Sequence, residues 1–172
     1  MVWVMLGLGS NHDAPGNLAS GLDELLLQFH ELALSSVFRS KAKDNTAPDY
    51  LNMVAGIETD LPLQELAKII KKIEDKHRRD RSTPKPKHIT IDIDLLTYGD
   101  KVGNFDGITL PRQEILTTAY VLWPLSQVAA KKKHPVLKQS YAELWQAFDK
   151  IQQPITPVAF TWHERVISRP VA

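Results

Sequence analysis

From Val2 to Leu8 the chain is apolar and partly β-branched (VWVMLGL), which predicts a buried strand inside a sheet, ended by Gly9 and the polar turn formers after it. From Asn17 the period changes. Leu18, Leu22, Leu25, Leu26 and Phe29 fall on one helical face, with Pro15 and Gly16 at its start, so an amphipathic helix should cover the sheet. Leu32 to Ser40 alternates enough for a second strand, and Lys41 to Asp49 (KAKDNTAPD) has no period and reads as a loop. Leu51 to Thr59 resumes alternation, with Met53, Ala55 and Ile57 on one face. Asp60 and Pro62 then announce a second helix carrying Leu63, Leu66, Ala67, Ile70 and Ile73. His77 to His88 (HRRDRSTPKPKH) is basic and broken by Pro84 and Pro86, a cationic loop. Ile89 to Tyr98 (ITIDIDLLTY), β-branched and bounded by Gly99, is the strongest strand signal in the chain.

The order β, α, β, β, α, β predicts an α+β fold of ferredoxin-like type, an antiparallel sheet with helices on one face, because two β-α-β units pack as right-handed crossovers. Further on, Leu110 and Pro111 precede a helix reaching Ala130. Ser140 and Glu143 make a capping box before Tyr141, Leu144, Trp145 and Phe148, which read as core. The tail from Gln153 has three prolines and a short alternation, Val158, Phe160 and Trp162, that predicts an edge strand. Nothing marks a second domain: the expectation is one unit over 1–172, with a core to about residue 150 and a C-terminal extension over 151–172.

Composition mostly removes possibilities. A chain of 172 residues, 43% hydrophobic and 24% charged, can bury a real core. Its 21 basic and 20 acidic residues leave a formal charge of +1, so no global field draws it to nucleic acid or a membrane surface. There is no cysteine, hence no disulfide or thiolate metal site. The apolar opening is short and lacks a basic flank, unlike a signal peptide, and no run approaches the length of a membrane span. The expectation is a cytoplasmic monomer acting on small molecules.

Residues two apart on a strand share a face, so Asp92 and Asp94 stand side by side while Ile91, Ile93 and Leu95 enter the core. Adjacent carboxylates suit Mg²⁺, which binds through one or two of them plus phosphate oxygens and water. They also suit a plain solvated strand face. The neighbouring basic loop, with Arg78, Arg79, Arg81, Lys85 and Lys87, tips the balance toward a bound polyphosphate.

Several phrases occur in an order that resembles the hydroxymethyldihydropterin pyrophosphokinase family: GLGSN (Gly7–Asn11), PDYLN (Pro48–Asn52), KKIED, TIDIDLLTYG, LP at Leu110, and AYVLWPL (Ala119–Leu125). The resemblance spans nearly the whole chain to about Asp149. It implies the ferredoxin-like fold and transfer of a pyrophosphoryl group from ATP to the hydroxymethyl oxygen of a reduced pterin, releasing AMP. Asp92 and Asp94 would hold two Mg²⁺ ions. Arg79 and Arg81 would belong to a loop that closes over ATP, with Asp92 and Asp94 as the catalytic set. Tyr50, Asn52 and Tyr120, the last in place of a usual phenylalanine, would hold the pterin. Lys71, Glu74, Lys85, Lys87, Leu95, Thr109 and Arg112 would line the nucleotide site.

The chain departs from that pattern at four positions. Ile89 and Thr118 stand where arginines are usual, Arg112 where a histidine is, and Pro86 where an aromatic is. Lysine or a displaced arginine restores charge but not a guanidinium's fixed fork. The lost arginine and histidine positions keep open a catalytically silent paralogue that binds nucleotide or pterin or partners another folate enzyme, and the loop from Lys41 to Ala47, without the family's usual apolar and proline content, keeps open a transferase acting on another small alcohol. The histidines show no zinc-ligand spacing and Ser10 lacks a nucleophile elbow.

Overall fold

The apolar N-terminal run forms β1 (Val2–Ser10), and α1 (Ala14–Phe29), β2 (Ala33–Leu34), β3 (Val37–Ser40), β4 (Tyr50–Thr59), α2 (Leu63–Lys76) and β5 (Asp92–Tyr98) follow in the computed structural model. Described are residues 1–42, 46–79, 82 and 88–171. Strand order is β5-β1-β4-β3 with every pairing antiparallel, so β1 lies inside the sheet as its apolar sequence requires. This is the ferredoxin-like arrangement. Alternation decides the two faces. Val4, Leu6 and Leu8 of β1 join Met53, Ala55 and Ile57 of β4 on the face where α1 lays Leu18, Leu22 and Leu25 and α2 lays Leu66, Ile70 and Ile73.

Three differences from the sequence reading have local causes. The second strand is split, because Ser35 bonds the backbone of Val54 twice, through its own amide (3.0 Å) and through Oγ, which accepts from Val54 N (2.8 Å). Side-chain capture of this kind diverts a strand from its regular ladder. The last core strand begins at Asp92 and not at Ile89. Ile89 turns its backbone to Asn11, whose amide donates to Ile89 O at 3.0 Å and whose Oδ1 accepts from Ile89 N at 2.5 Å. The long helix predicted up to Ala130 is broken.

Between Tyr98 and that break lies a hairpin absent from the sequence reading, β6 (Gly103–Phe105) and β7 (Ile108–Leu110). Asp106 (φ 54°) and Gly107 (φ 91°) turn it with left-handed backbone, a conformation the Asp-Gly pair favours. Gln64 of α2 pins it by donating to Phe105 O at 3.0 Å. A cis Leu110–Pro111 bond follows. Then α3 (Glu114–Thr117) ends and α4 (Ala119–Val128) begins at Thr118, which is extended (φ −130°, ψ 116°). The Thr118 amide closes the first helix on Glu114 O (2.9 Å), and its carbonyl accepts from Leu122 N (3.0 Å) to start the second. α5 (Tyr141–Ala147) carries the predicted cap, Ser140 Oγ accepting from Glu143 N at 3.1 Å.

The two core helices share one face as expected, and the C-terminal helices cover the other. Ile115, Val121, Leu122, Leu125 and Tyr141 of α3, α4 and α5 pack on Met5, Val54 and Leu96, on the face opposite α1 and α2. Tyr141 is fully buried, whereas Leu144, Trp145 and Phe148 are half-buried at the rim. The tail does form an edge strand, β8 (Thr156–Val158), beside β3. Phe160 and Trp162, however, leave the sheet for a separate hairpin of β9 (Phe160–Trp162) and β10 (Arg165–Ser168). That hairpin is sewn to α1, with Trp162 Nε1 donating to Asp23 Oδ1 at 2.9 Å. Among the described residues no helix is long and apolar enough to cross a membrane.

Candidate active site

Asp92 and Asp94 do share a face. Their register partners on β1 are Gly9 and Gly7, and Gly9 in turn faces Asn52 on β4. The glycines make room for neighbouring side chains: a Cβ on Gly9 would come within 3.1 Å of Asn52 Oδ1, and one on Gly7 within 3.5 Å of the Leu96 side chain. The Asn52 amide can therefore lie close against β1, beside Gly9, the register partner of Asp92.

An arginine attends each aspartate. Arg79, just past the end of α2, places Nη1 3.0 Å from Asp92 Oδ1, 3.2 Å from Glu74 Oε2 and 2.9 Å from the Ile91 carbonyl. Glu74 is buried and also accepts from Ile93 N at 2.9 Å, so α2, Arg79 and the start of β5 form one connected unit. Arg112 brings Nη2 to 3.6 Å from Asp94 Oδ1 and Nε to 3.4 Å from Glu114. Its backbone amide donates to Leu96 O at 2.9 Å, which fixes the post-proline segment against β5.

Burial and the neighbouring Asp92 push the Asp94 carboxyl up to about 7, against the smaller opposing pull of Arg112. This is the like-charge conflict that adjacency on a strand predicts. A bound divalent cation would relieve it, and an all-oxygen pair of carboxylates is the donor set Mg²⁺ takes alongside phosphate and water. The residues present therefore fit the metal that the sequence implies.

The expected nucleotide residues converge. Lys71, Glu74, Leu95, Thr109 and Arg112 line one cleft of about 710 Å³ that also touches Asp94. Sequence reasoning passed over Gly107, Ile108, Gln113 and Glu114 in the same cleft; the Asp-Gly turn that carries the first two was legible. Arg81, Lys85 and Lys87 lie outside the described residues, as do Pro86 and residues 43–45 of the other loop. Of the altered positions, Ile89 and Thr118 are buried, so neither side chain takes over the reach of an arginine.

Burial raises the phenol pKa values of Tyr50 and Tyr120; the charge of Asp92 adds to the first, and those of Asp94 and Asp92, together with Tyr50, to the second. Both rings therefore lie within electrostatic range of the acidic pair. Asn52, buried, donates from Nδ2 to Ser40 Oγ at 2.7 Å, which leaves its Oδ1 over Gly9.

Comparisons with known proteins bear on the family of the chain. The model of a family described as 7,8-dihydro-6-hydroxymethylpterin-pyrophosphokinase matches residues 5–130. The chain is similar to the 2-amino-4-hydroxy-6-hydroxymethyldihydropteridine pyrophosphokinase of Haemophilus influenzae, 31% identical over 134 residues that cover 76% of this chain and 83% of the relative. It is also similar to the protein of that name from Aquifex aeolicus, 32% identical over 146 residues, 83% of this chain and 90% of the relative. Among solved structures, Plasmodium falciparum HPPK-DHPS crystallised with pteroate superposes with a TM-score of 0.67 at 14% identity, covering 97% of this chain and 48% of that one. That likeness carries the fold alone, and the chain spans about half the length of that protein. The family match and the relatives define the class as an ATP-dependent diphosphotransferase. Within that class, the chain belongs to the 7,8-dihydro-6-hydroxymethylpterin-pyrophosphokinase family.

Proposed function

We propose that this chain transfers the pyrophosphoryl group of ATP to the hydroxymethyl oxygen of 6-hydroxymethyl-7,8-dihydropterin in folate biosynthesis, as a cytoplasmic monomer, with Asp92 and Asp94 holding two Mg²⁺ ions. The observation that carries the residue assignment is that the acidic pair joins two groups: Asp94 lines the cleft with Lys71, Thr109 and Arg112, and Asp92 pairs in register with Gly9, which faces Asn52. In the reaction the acceptor oxygen bonds to the β-phosphorus, the bridge to the α-phosphate breaks, AMP leaves, and the hydroxyl proton passes to solvent. Bound Mg²⁺ supplies positive charge to the phosphate oxygens.

The protein's own share is placement. Lys71 and Arg112 bring positive charge to the nucleotide cleft, and Leu95 offers an apolar wall to the base. Arg79, tied to Glu74 and Asp92, keeps the first carboxylate aimed. Arg81, Lys85 and Lys87 of the adjoining basic loop are the proposed further phosphate contacts. Tyr50 and Tyr120 sandwich the flat pterin, and the Asn52 amide matches its donor and acceptor edge. Orientation of this kind is the main source of rate in phosphoryl transfer.

Incubation with ATP, Mg²⁺ and hydroxymethyldihydropterin should yield AMP and the pterin diphosphate in equal amounts. Asp92→Ala and Asp94→Ala should each lower the rate by at least about 100-fold, the usual effect of removing an electrostatic anchor of the transition state. Nucleotide binding without AMP would identify the silent paralogue, and turnover only with a different alcohol the altered transferase.

A further inference from the structure

The C-terminal extension reaches the acceptor side of the site through one side chain. At the break between α3 and α4 the extended Thr118 leaves a carbonyl at the end of one helix and an amide at the start of the next without regular helical partners. The Gln153 carboxamide serves both: Oε1 accepts from Ala119 N at 2.9 Å, and Nε2 donates to Thr117 O at 2.8 Å. Tyr120 is the next residue in the chain. Gln153 is itself held in place, because three residues later the extension enters the sheet as β8, paired with β3.

The same segment shapes the space beside Tyr120. Gln152, Gln153, Pro154 and Ile155 enclose a cavity of about 520 Å³ together with Ser40 and Tyr120. Ser40 is also the residue that accepts from Asn52. The extension therefore shares one cavity with the Tyr120 ring and with Ser40, the hydrogen-bond partner of Asn52, and none of its described residues lines the cleft that holds Lys71, Asp94 and Arg112.

We propose that Gln153 is a positioning residue for the acceptor: it clasps the α3–α4 break and so fixes the angle at which Tyr120 presents its ring, an inference that rests on Tyr120 being the pterin-stacking residue. Its loss affects acceptor binding selectively. In the full chain, Gln153→Ala should raise the KM for hydroxymethyldihydropterin about tenfold, the scale of two modest hydrogen bonds lost from one side chain, with the KM for ATP unchanged. Gln153→Glu keeps an oxygen for the Ala119 amide but cannot donate to Thr117, and should give an intermediate value. Amide hydrogen exchange at Ala119 should quicken in Gln153→Ala. If exchange quickens yet the acceptor KM is unchanged, or both KM values rise together, the inference is overturned. A wild-type protein that turns over no pterin is a different result: it overturns the assigned reaction, and this inference with it.

Discussion

At the residue scale the site is an arrangement of opposed charges whose cost is visible in one group. Asp94 is half-buried beside Asp92, and its carboxyl is raised from 3.8 to about 7. Below about pH 4 the group is protonated whether the chain is folded or not. As the pH rises through 7 the folded chain must carry a charge that the unfolded chain carries more easily in water, so the stability present at low pH is lost. The metal-free protein should therefore melt at a falling temperature between about pH 4 and 7. Asp94→Asn, which keeps the shape and removes the charge, should flatten that slope and melt above the wild type at pH 8. Thermal melts in chelator across this range check it; a wild-type profile without the fall would show that Asp94 is not strained by its neighbour. The identities of these residues were readable from the chain, because TIDIDLLTYG fixes both the spacing and the face. What Arg112 does was not, since its approach to Asp94 depends on the turn after Pro111.

At the element scale, strands and helices with strong periods form where the sequence places them, and the differences fall where short polar residues compete for backbone. Ser35 and Asn11 each redirect a strand, and Thr118 divides a helix, through hydrogen bonds to partners distant in sequence or to the helix ends themselves. Such captures are invisible to a period of 2 or 3.6. The β6–β7 hairpin is a different case, because the Asp106–Gly107 pair announces it and only the brevity of the strands hides it. That hairpin carries Ile108 and Thr109 to the nucleotide cleft. At φ 91° Gly107 has open space where a Cβ would go, so substitution there costs conformational energy and not collision. Gly107→Val should cost about 1–3 kcal/mol of stability in urea unfolding. It should also raise the KM for ATP severalfold, with little effect on the KM for the acceptor. A larger effect on the acceptor would place the nucleotide elsewhere.

At the scale of the whole molecule, the ferredoxin-like core was legible because β, α, β, β, α, β is a local reading summed over the chain. Its third layer was not. That α3, α4 and α5 return to the open face of the sheet is decided by Met5, Val54 and Leu96, apolar residues on the side of the strands that alternation leaves away from α1 and α2. Nor was the path of the extension legible, since β8 joins a strand more than 110 positions earlier in the chain. The two faces have different tasks. One is core beneath α1 and α2; the other becomes, beyond the end of its apolar cluster, the row of Asp92, Gly9 and Asn52 to which the proposed function assigns the substrates. The central claim is that carboxylates on this row seat a nucleotide's phosphates through Mg²⁺. The most direct measurement is calorimetric titration with an ATP analogue whose α–β bridge cannot be cleaved, with and without Mg²⁺. The account predicts affinity that needs Mg²⁺ in the wild type and is lost in Asp92→Ala and Asp94→Ala. Equal affinity without the metal, or affinity that survives both substitutions, would contradict it.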